Sequence, residues 1–418
     1  MKKFLVILMV AVLAISMIAC SSGSDSSSQN NQTNDQESDN NAANGTKKGV
    51  EITVWSHLTD AEIAKTQEIA NKWATQTGNT VKVLADNSDF QAFATAANSG
   101  KGPDIMFGLP HDNLGTFYKA GLLDPVPDAV MNDSDYVPLS ITAVSFDGKK
   151  YAVPLAMESY ALFYNKDKIA TPPQTWDEFI NAAKQYGFMY DINNFYYSYA
   201  IISGYGGYVF KNNNGTYDIN DIGLNNEGAK KGFETIYKFV SEYKFMPADI
   251  KGDIAKGNFQ SKKIGLYISG PWDVQSFKDA GVNFGVAPLP KLDNGSDMKP
   301  FVGVQAAFVN ANSKNKDVAW DLVKYLAQNT PLPLFETGNR IPVINSVLNS
   351  SEVQSNEIMK GFADSAAKGE PMPNIPEVQA MWTPVNNNLT LITSGKLSPD
   401  KAADQIVQQI KEGIATMQ

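Results

Sequence analysis

Aromatic side chains with polar neighbours are the first residues of this sequence that could do chemistry. Residues 193–207 read NNFYYSYAIISGYGG, and a second aromatic, near the C-terminus, is flanked by proline and asparagine. Aromatic residues at helical spacing usually fill a core, but rings with polar tips suit a hydrated cleft better than a dry interior. We therefore expect these rings to line a ligand-binding cleft: Tyr196, Tyr197, Tyr199, Tyr205 and Trp382.

Trp272 occupies another position that is typical of ligand binding. Residues 264–268 predict a buried strand, Gly270-Pro271 ends it, and Asp273 can cap the helix that follows. Trp272 would then lie at the carboxyl end of a strand, where open α/β sheets bind ligands. The alternative is that Trp272 only fills the core, since tryptophan is usually well buried.

The motifs of enzymes are missing from this sequence. Its two histidines, His57 and His111, lack the spacing of metal ligands. No nucleophile elbow, Walker A loop, HExxH motif or dinucleotide-binding glycine motif occurs. Asp112 and Glu158 could form the carboxylate pair of a glycosidase, or each could accept hydrogen bonds from ligand hydroxyls. We expect a binding protein that needs no metal and no cofactor, with a lipid-anchored glycoside hydrolase as the alternative.

The elements that must position these residues alternate between strands and helices. Strands are predicted at 51–55, 81–84 and 104–107. The clearest later helices are predicted at 176–186, 226–243, 317–328 and 399–417. This alternation is typical of βαβ units, so we expect an α/β fold with mostly parallel sheets flanked by helices.

The first 49 residues are predicted to target and anchor the protein. A basic pair and a short apolar run lead to Cys20, the only cysteine, in a sequence that resembles a bacterial lipobox. Residues 1–19 would be a lipoprotein signal peptide, and residues 20–49 a lipidated N-terminus and disordered tether. We expect a lipid anchor on the outer face of the cytoplasmic membrane of a Gram-positive-type cell. An ordinary signal peptide with a chance cysteine is the alternative.

Composition argues against nucleic acid as a partner and against disulfide bonds as a source of stability. The 418 residues include 44 acidic and 35 basic side chains, for a formal net charge of −9. An acidic chain without a basic run argues against nucleic acid binding. A single cysteine permits no internal disulfide, and the length suffices for two domains that are stable on burial alone.

A series of collinear motifs gives the chain a family resemblance. They include GPDIMF at 102–107, YNKD at 164–167, SGPW at 269–272, KPFVGV at 299–304 and KGEPMPNIP at 368–376. Over nearly all of residues 50–418 the chain resembles the extracellular solute-binding proteins of sugar ABC transporters, and specifically the maltose/maltodextrin-binding proteins.

The resemblance implies the two-lobe, type II periplasmic-binding-protein-like fold, with a ligand cleft between two α/β lobes. The first lobe would comprise residues 50–156 and 306–351, and the second residues 161–300 and 358–418, joined by hinge segments. A monomer would capture its sugar by closing the lobes and would dock on the permease subunits of an ABC importer.

The resemblance also assigns ligand contacts by position. Asp112 and Glu158 would accept hydrogen bonds from sugar hydroxyls in charge-assisted bonds. Four rings would stack on the sugar faces, those of Tyr196, Tyr197, Trp272 and Trp382.

Three asparagines depart from the maltose-binding prototype at positions expected to line the cleft. Asn113 and Asn386 stand where the prototype has arginines, and Asn194 where it has glutamate. An asparagine reaches less far and carries no charge, so we expect stacking to dominate and longer maltodextrins to bind better than maltose. The exact sugar stays open, and another oligosaccharide is the alternative. The prototype also has a tryptophan near Gly108, where this chain has GLP and one extra residue.

Overall fold

The computed structural model of the protein describes residues 48–86, 90–213 and 216–417. The signal peptide, Cys20 and most of the tether lie outside the described residues, so the expectations about them stay predictions. The part of the chain that the structure describes contains no helix with the length and apolar character needed to cross a membrane.

Strands and helices alternate along most of the described chain. The strands are β1 Glu51–Ser56, β2 Thr80–Ala85, β3 Ile105–Pro110, β4 Ser145–Phe146, β5 Lys149–Lys150, β6 Val153–Glu158, β7 Ala161–Asn165, β8 Phe188–Met189, β9 Lys211–Asn213, β10 Thr216–Asp218, β11 Leu266–Ser269, β12 Phe284–Ala287, β13 Phe301–Val309, β14 Ile341–Pro342 and β15 Glu370–Pro371. The helices are α1 Asp60–Thr77, α2 Phe90–Asn98, α3 Leu114–Lys119, α4 Pro138–Ala143, α5 Trp176–Tyr186, α6 Phe195–Gly204, α7 Glu227–Ser241, α8 Gly252–Gln260, α9 Val274–Asp279, α10 Lys316–Asn329, α11 Pro331–Gly338, α12 Asn345–Leu348, α13 Ser351–Gln354, α14 Glu357–Ala366, α15 Gln379–Thr393 and α16 Pro399–Ala415.

The larger sheet is the centre of the first lobe. Its strand order is β14-β6-β13-β3-β1-β2, and β15 also pairs with β13. β1 runs parallel to β2 and β3, whereas β13 runs antiparallel to β3 and β6. The expectation of mostly parallel strands therefore holds for the β1–β2, β1–β3 and β13–β15 pairs, whereas the β3–β13, β6–β13 and β6–β14 pairs are antiparallel. β6 leaves the sheet for the second lobe and β13 returns from it, so the returning strand runs in the opposite direction.

The smaller sheet is the centre of the second lobe. Its order is β12-β7-β11-β8, with β11 parallel to β8 and antiparallel to β7. Helices α5–α7 and α14–α16 contribute to the apolar core around it. Phe301 and Ile341 of the larger sheet also belong to this core, and Met157 packs against both this core and one on the larger sheet. In α16 the predicted apolar stripe is buried: Ala402, Ile406, Ile410 and Ile414.

Two extended segments join the lobes. Glu158 ends β6 in the larger sheet, and Ala161 begins β7 in the smaller one. β13 is buried along its whole length. Its first residue, Phe301, stacks on Tyr199 of α6 with ring centroids 3.7 Å apart, while its last residue lies in the first-lobe core. Both connections therefore pass through the place where the lobes meet.

Gly108, in the GLP segment, forms a β-bulge. The ladder between β3 and β13 shifts register at this point and leaves Gly108 without a partner strand residue. Its φ is +81°, a conformation that a side chain would strain, and a Cβ there would collide with Leu58. The bulge lies just before the end of β3, where a 3-10 turn carries Asp112.

Helix α1 is fixed by a capping box at its start. The Thr59 hydroxyl accepts a hydrogen bond from the Glu62 amide, and the Glu62 carboxylate accepts one from the Thr59 amide. Gly78 ends the helix in the left-handed conformation. Because Glu62 is fully buried, its carboxylate lies inside the first lobe, close to the junction described below.

Candidate ligand-binding site

A cavity of about 390 Å³ lies where the two lobes meet. The end of β3, the end of β6, α6 and α15 all contribute to its wall. Its lining residues are Pro110, Asp112, Asn113, Glu158, Tyr196, Met372, Gln379, Trp382 and Asn386. The cavity thus brings together most of the residues predicted to contact ligand, although they come from positions as far apart as Asp112 and Asn386.

A larger groove of about 760 Å³ lies elsewhere on the chain. It is lined by parts of segments 128–136, 324–328 and 344–347. None of the predicted ligand contacts lies in it, and it has neither tryptophan nor a buried carboxylate in its lining. We therefore regard the smaller cavity between the lobes as the candidate site.

Asp112 is a buried acid in the cavity wall. Burial raises the pKa of Asp112 to about 7, although its own backbone amide and the side chain of Gln379 act to lower it. Asn113 donates a hydrogen bond from Nδ2 to Asp112 Oδ1 at 3.2 Å. Near neutral pH the Asp112 carboxyl can therefore exchange its proton for hydrogen bonds from a ligand.

Glu158 is a second acid, held in place from behind. Its side chain is 7% exposed and borders the cavity. Gln305 Nε2 donates to Glu158 Oε1 at 2.7 Å, and Arg340 Nη1 donates to Glu158 Oε2. A carboxylate can accept about four hydrogen bonds, so these two contacts leave acceptor positions for a ligand.

His111 is structural rather than catalytic. It is fully buried, and burial lowers its pKa to about 4 despite the bond to Met372. Nδ1 accepts from the Val304 amide at 3.0 Å, which assigns the proton to Nε2, and Nε2 donates to the Met372 carbonyl at 2.9 Å. The neutral ring ties the end of β3 to β13 and to the segment that carries Met372 into the cavity.

Tyr196 and Trp382 supply the aromatic part of the wall. Tyr196 lies 6.2 Å from Trp272 and 5.3 Å from Tyr197 between ring centroids. Trp382 packs edge-on against Phe301 at 6.1 Å. Within the described residues, the buried Tyr196 hydroxyl has no hydrogen-bond partner. Such a group is costly to leave unpaired, so a ligand hydroxyl is its natural partner.

The asparagines that replace charged residues have structural contacts as well. Asn386 Oδ1 accepts from the Phe195 amide at 2.8 Å and so fixes the start of α6, while the residue still lines the cavity. Asn194 is the N-cap of α6, accepting from the Tyr196 amide at 3.1 Å, and it is outside the cavity lining. The ligand contact predicted for Asn194 stays a prediction.

Tyr197 and Trp272 also lie outside the cavity lining, next to Tyr196. Both are partly buried, and the ligand contacts predicted for them stay predictions. Asp273 stands at the predicted cap position, but its side chain makes no capping bond. Its carboxylate instead accepts from the Ser269 hydroxyl at 2.6 Å and pairs with Lys256 at 2.7 Å.

Two tyrosines were wrongly expected to line the same cleft. Tyr199 is 2% exposed, stacks on Phe301 and donates to Glu370. Tyr205 follows the last residue of α6, donates to Asp293 at 2.7 Å and is outside the cavity lining. Because α6 is a helix, successive residues of the aromatic run point in different directions, and Tyr196 is the one that reaches the cavity.

Sequence reasoning missed Met372, Gln379 and Arg340. Gln379 Nε2 donates to the Asp112 carbonyl at 3.1 Å and thereby bridges the two lobes. Gln379 lies three residues before Trp382, and no sequence motif there predicts its contact with Asp112. Arg340 could have been noticed, because it is the only arginine in the sequence.

Comparison with known proteins gives consistent matches. The family model described as bacterial extracellular solute-binding protein matches residues 68–361. The galactooligosaccharide-binding protein of Bacillus subtilis is 33% identical over 98% of this chain and 97% of that protein. The maltodextrin-binding protein of the same organism is 30% identical, over 99% and 98%. The maltooligosaccharide ABC transporter solute-binding lipoprotein of Streptococcus pneumoniae is 30% identical, over 90% and 92%.

Solved structures are similar over most of the chain. The maltose-maltodextrin binding protein of Alicyclobacillus acidocaldarius matches with a TM-score of 0.84 and 45% identity, covering 86% of this chain and 100% of that one. A cyclo/maltodextrin-binding protein complexed with maltotetraose matches with a TM-score of 0.78 and 34% identity, covering 89% and 99%.

Asp112→Asn is expected to change how folding stability depends on pH. The folded-state pKa of about 7 exceeds the ordinary value of about 3.9, so the folded protein binds this proton more tightly than the unfolded chain. Stability supplied by the protonated form is therefore lost as pH rises through 7. Relative to wild type, the variant should gain at least about 1.4 kcal/mol in the free energy of unfolding between pH 5 and pH 8.

Denaturant titration of ligand-free protein at the two pH values measures this difference. Asp128→Asn, at an exposed carboxylate, is the matched control and should show no such gain. A constant difference between Asp112→Asn and wild type across this range would contradict the prediction.

Proposed function

Because this chain belongs to the family of bacterial extracellular solute-binding proteins, we propose that it captures a maltodextrin-type oligosaccharide and delivers it to an ABC importer. Relatives named for maltodextrin and maltooligosaccharide binding support this sugar class. The neighbour complexed with maltotetraose supports a ligand of several sugar rings. Galactooligosaccharide is the alternative ligand, because one relative is named for it.

The observation that carries the proposal is the pairing of acids with aromatic rings in one cavity. Asp112 and Glu158 offer carboxylate oxygens, while Trp382 and Tyr196 offer ring surfaces. None of the described residues that line the cavity is basic. A sugar has a rim of hydroxyl donors and two weakly apolar faces, so acids can accept from the rim while rings stack on the faces. An anionic ligand would find no cation among these lining residues.

Each predicted contact then has a place in the proposal. Asp112 and Glu158 accept hydrogen bonds from sugar hydroxyls, and the Tyr196 hydroxyl pairs with another. The amides of Asn113 and Asn386 contribute neutral hydrogen bonds. Tyr197 and Trp272 continue the aromatic surface from Tyr196 away from the cavity and would stack on additional rings of a longer sugar; Asn194 supports that surface through α6.

Ligand capture would proceed by closure of the two lobes, divided as residues 50–156 with 306–351 and 161–300 with 358–418. The connections at Glu158–Ala161 and through β13 are the natural hinges, because each passes from one sheet to the other. A ligand held by acids of the first lobe and rings of the second favours the closed form, since only that form makes both sets of contacts. The closed monomer would then dock on the permease.

Trp382→Ala should weaken the binding of every maltodextrin at least about fivefold, because a stacked ring is worth about 1 kcal/mol or more. Trp272→Ala should weaken maltotetraose more than maltose, because that ring lies beyond the cavity lining. Isothermal titration calorimetry with maltose, maltotriose and maltotetraose measures both effects, and the wild type should bind the longer sugars more tightly.

Trp176→Ala is the matched control, because this ring is partly buried in the second lobe against Phe239 and away from the cavity. Normal binding by Trp382→Ala would remove that ring from the site. Tighter binding of galactooligosaccharides than of any maltodextrin would favour the alternative ligand.

Binding without turnover is expected, because the relatives are named as binding proteins and the sequence lacks the motifs of a nucleophile or cofactor site. Chromatography of maltotriose after prolonged incubation with the protein should recover intact trisaccharide. Shorter sugars that disappear with Asp112→Asn and with Glu158→Gln would identify a glycoside hydrolase instead.

Cys20→Ser should release the protein from the membrane or leave it unprocessed, because the thiol is the proposed site of lipid attachment. Fractionation of cells that express the full chain measures membrane retention, and Ser24→Ala in the tether is the control. The Streptococcus relative named as a lipoprotein supports this anchor. Full membrane retention of Cys20→Ser would rule it out.

A further inference from the structure

Arg340 is the only arginine in the chain, and every other basic residue outside the histidines is lysine. It lies between α11 and β14 and is 4% exposed. Lysine supplies a point charge on a flexible stem, whereas arginine supplies a planar fork with donors in fixed directions. The only guanidinium group of the chain therefore lies in the interior of the first lobe.

The fork joins two buried carboxylates. Arg340 Nε donates to Glu62 Oε1 at 2.8 Å, and Nη2 donates to Glu62 Oε2 at 3.1 Å. Arg340 Nη1 donates to Glu158 Oε2. The guanidinium is thus held from one side by Glu62 and contacts the cavity wall through Glu158.

Glu62 is itself fixed. Its carboxylate accepts from the Thr59 amide at 2.9 Å and from the Thr59 hydroxyl at 2.8 Å, at the start of α1. Burial raises the pKa of Glu62, but the charge and hydrogen bonds of Arg340, together with the bonds from Thr59, outweigh burial and leave that pKa below its ordinary value. Glu62 is therefore a rigid anionic anchor for the guanidinium.

The charge balance gives Arg340 its importance. Glu62 and Glu158 are both buried, and Arg340 is paired with both. Without this cation the two acids would be buried like charges. One carboxylate of such a pair takes up a proton, or the two move apart. Either response would alter the acceptor at the cavity.

We propose that Arg340 is a positioning residue for ligand binding: anchored by Glu62, it keeps Glu158 charged and oriented as the acceptor for ligand hydroxyls. The proposal rests on the proposed function, in which Glu158 binds the sugar. Gln305 assists from the other oxygen at 2.7 Å. Arg340 itself is outside the cavity lining, so it acts through Glu158.

A double-mutant cycle with maltotriose tests this dependence. Arg340→Met and Glu158→Gln should each weaken binding at least about tenfold, the loss expected for a hydrogen bond to a charged group. The double variant should bind no more weakly than Glu158→Gln alone, because Arg340 then has no carboxylate to keep charged. Losses that multiply in the double variant would show that Arg340 acts independently of Glu158 and would overturn the proposal.

A charge-balanced variant guards against loss of folding. Glu62→Leu combined with Arg340→Met removes anchor and cation together, and apolar replacement of buried ion pairs is often tolerated. This variant should fold, as judged by thermal unfolding, yet bind maltotriose at least about tenfold more weakly than wild type. Arg340→Lys alone should bind maltotriose more tightly than Arg340→Met and more weakly than wild type, since lysine keeps the positive charge without the planar fork.

Trp320→Phe is the stability control. It removes a hydrogen bond from Trp320 Nε1 to Asp124 at 2.8 Å in the first lobe and should lower the unfolding temperature without changing affinity. Wild-type affinity in the charge-balanced variant would overturn the proposal and leave Arg340 a structural residue. Absence of oligosaccharide binding by the wild type would instead overturn the proposed function and this proposal with it.

Discussion

A carboxylate, that of Glu158, is buried at the junction of the two lobes, and a buried carboxylate needs partners for its hydrogen bonds and its charge. β6 ends at Glu158, and Arg340 arrives from the segment between α11 and β14. α1 supplies Glu62 as the second partner of the guanidinium, and its capping box fixes that acid. Gln305, from the strand that returns between the lobes, holds the remaining oxygen. Arg340 and Gln305, from two distant segments, thus contact Glu158 directly, and Glu62 of α1 holds the same guanidinium. Because an unpaired buried charge is costly, these contacts stabilise the packing of the segments that carry them. The wall of the cavity that the second lobe contributes contains Trp382 and Tyr196. These aromatic rings favour a flat, weakly apolar partner rather than a charged one.

The family and the two-lobe α/β fold predicted from sequence are confirmed. Local elements were predictable where strong caps and a clear apolar period coincide. Helix α5 has the predicted bounds, because a capping box begins it and a glycine ends it. Helix α16 begins at its N-terminal proline and buries the predicted stripe. The family motifs predicted that Asp112, Glu158, Tyr196 and Trp382 contact a ligand. These four residues line one cavity.

What the sequence could not provide were contacts between distant segments. Arg340 is 182 residues from Glu158 and 278 from Glu62, so no local spacing predicts the triad. Gln379 bridges the lobes over a separation of 267 residues. The aromatic run in α6 was read as one group, although helical geometry sends Tyr199 into the core and Tyr205 to another surface. Strand direction in the larger sheet likewise depended on the return of β13 from the second lobe, which alternation of elements does not encode.

The central claim is that acids from one wall and rings from the other hold a sugar between the lobes. A crystal structure of the protein grown with maltotriose tests it most directly. The account predicts sugar density in the cavity, with one ring stacked on Trp382 and hydroxyls within hydrogen-bond distance of Glu158, Asp112 and the Tyr196 hydroxyl. Density for the sugar at another place on the protein, or a ring that contacts Trp382 with no hydroxyl near either carboxylate, would contradict the account.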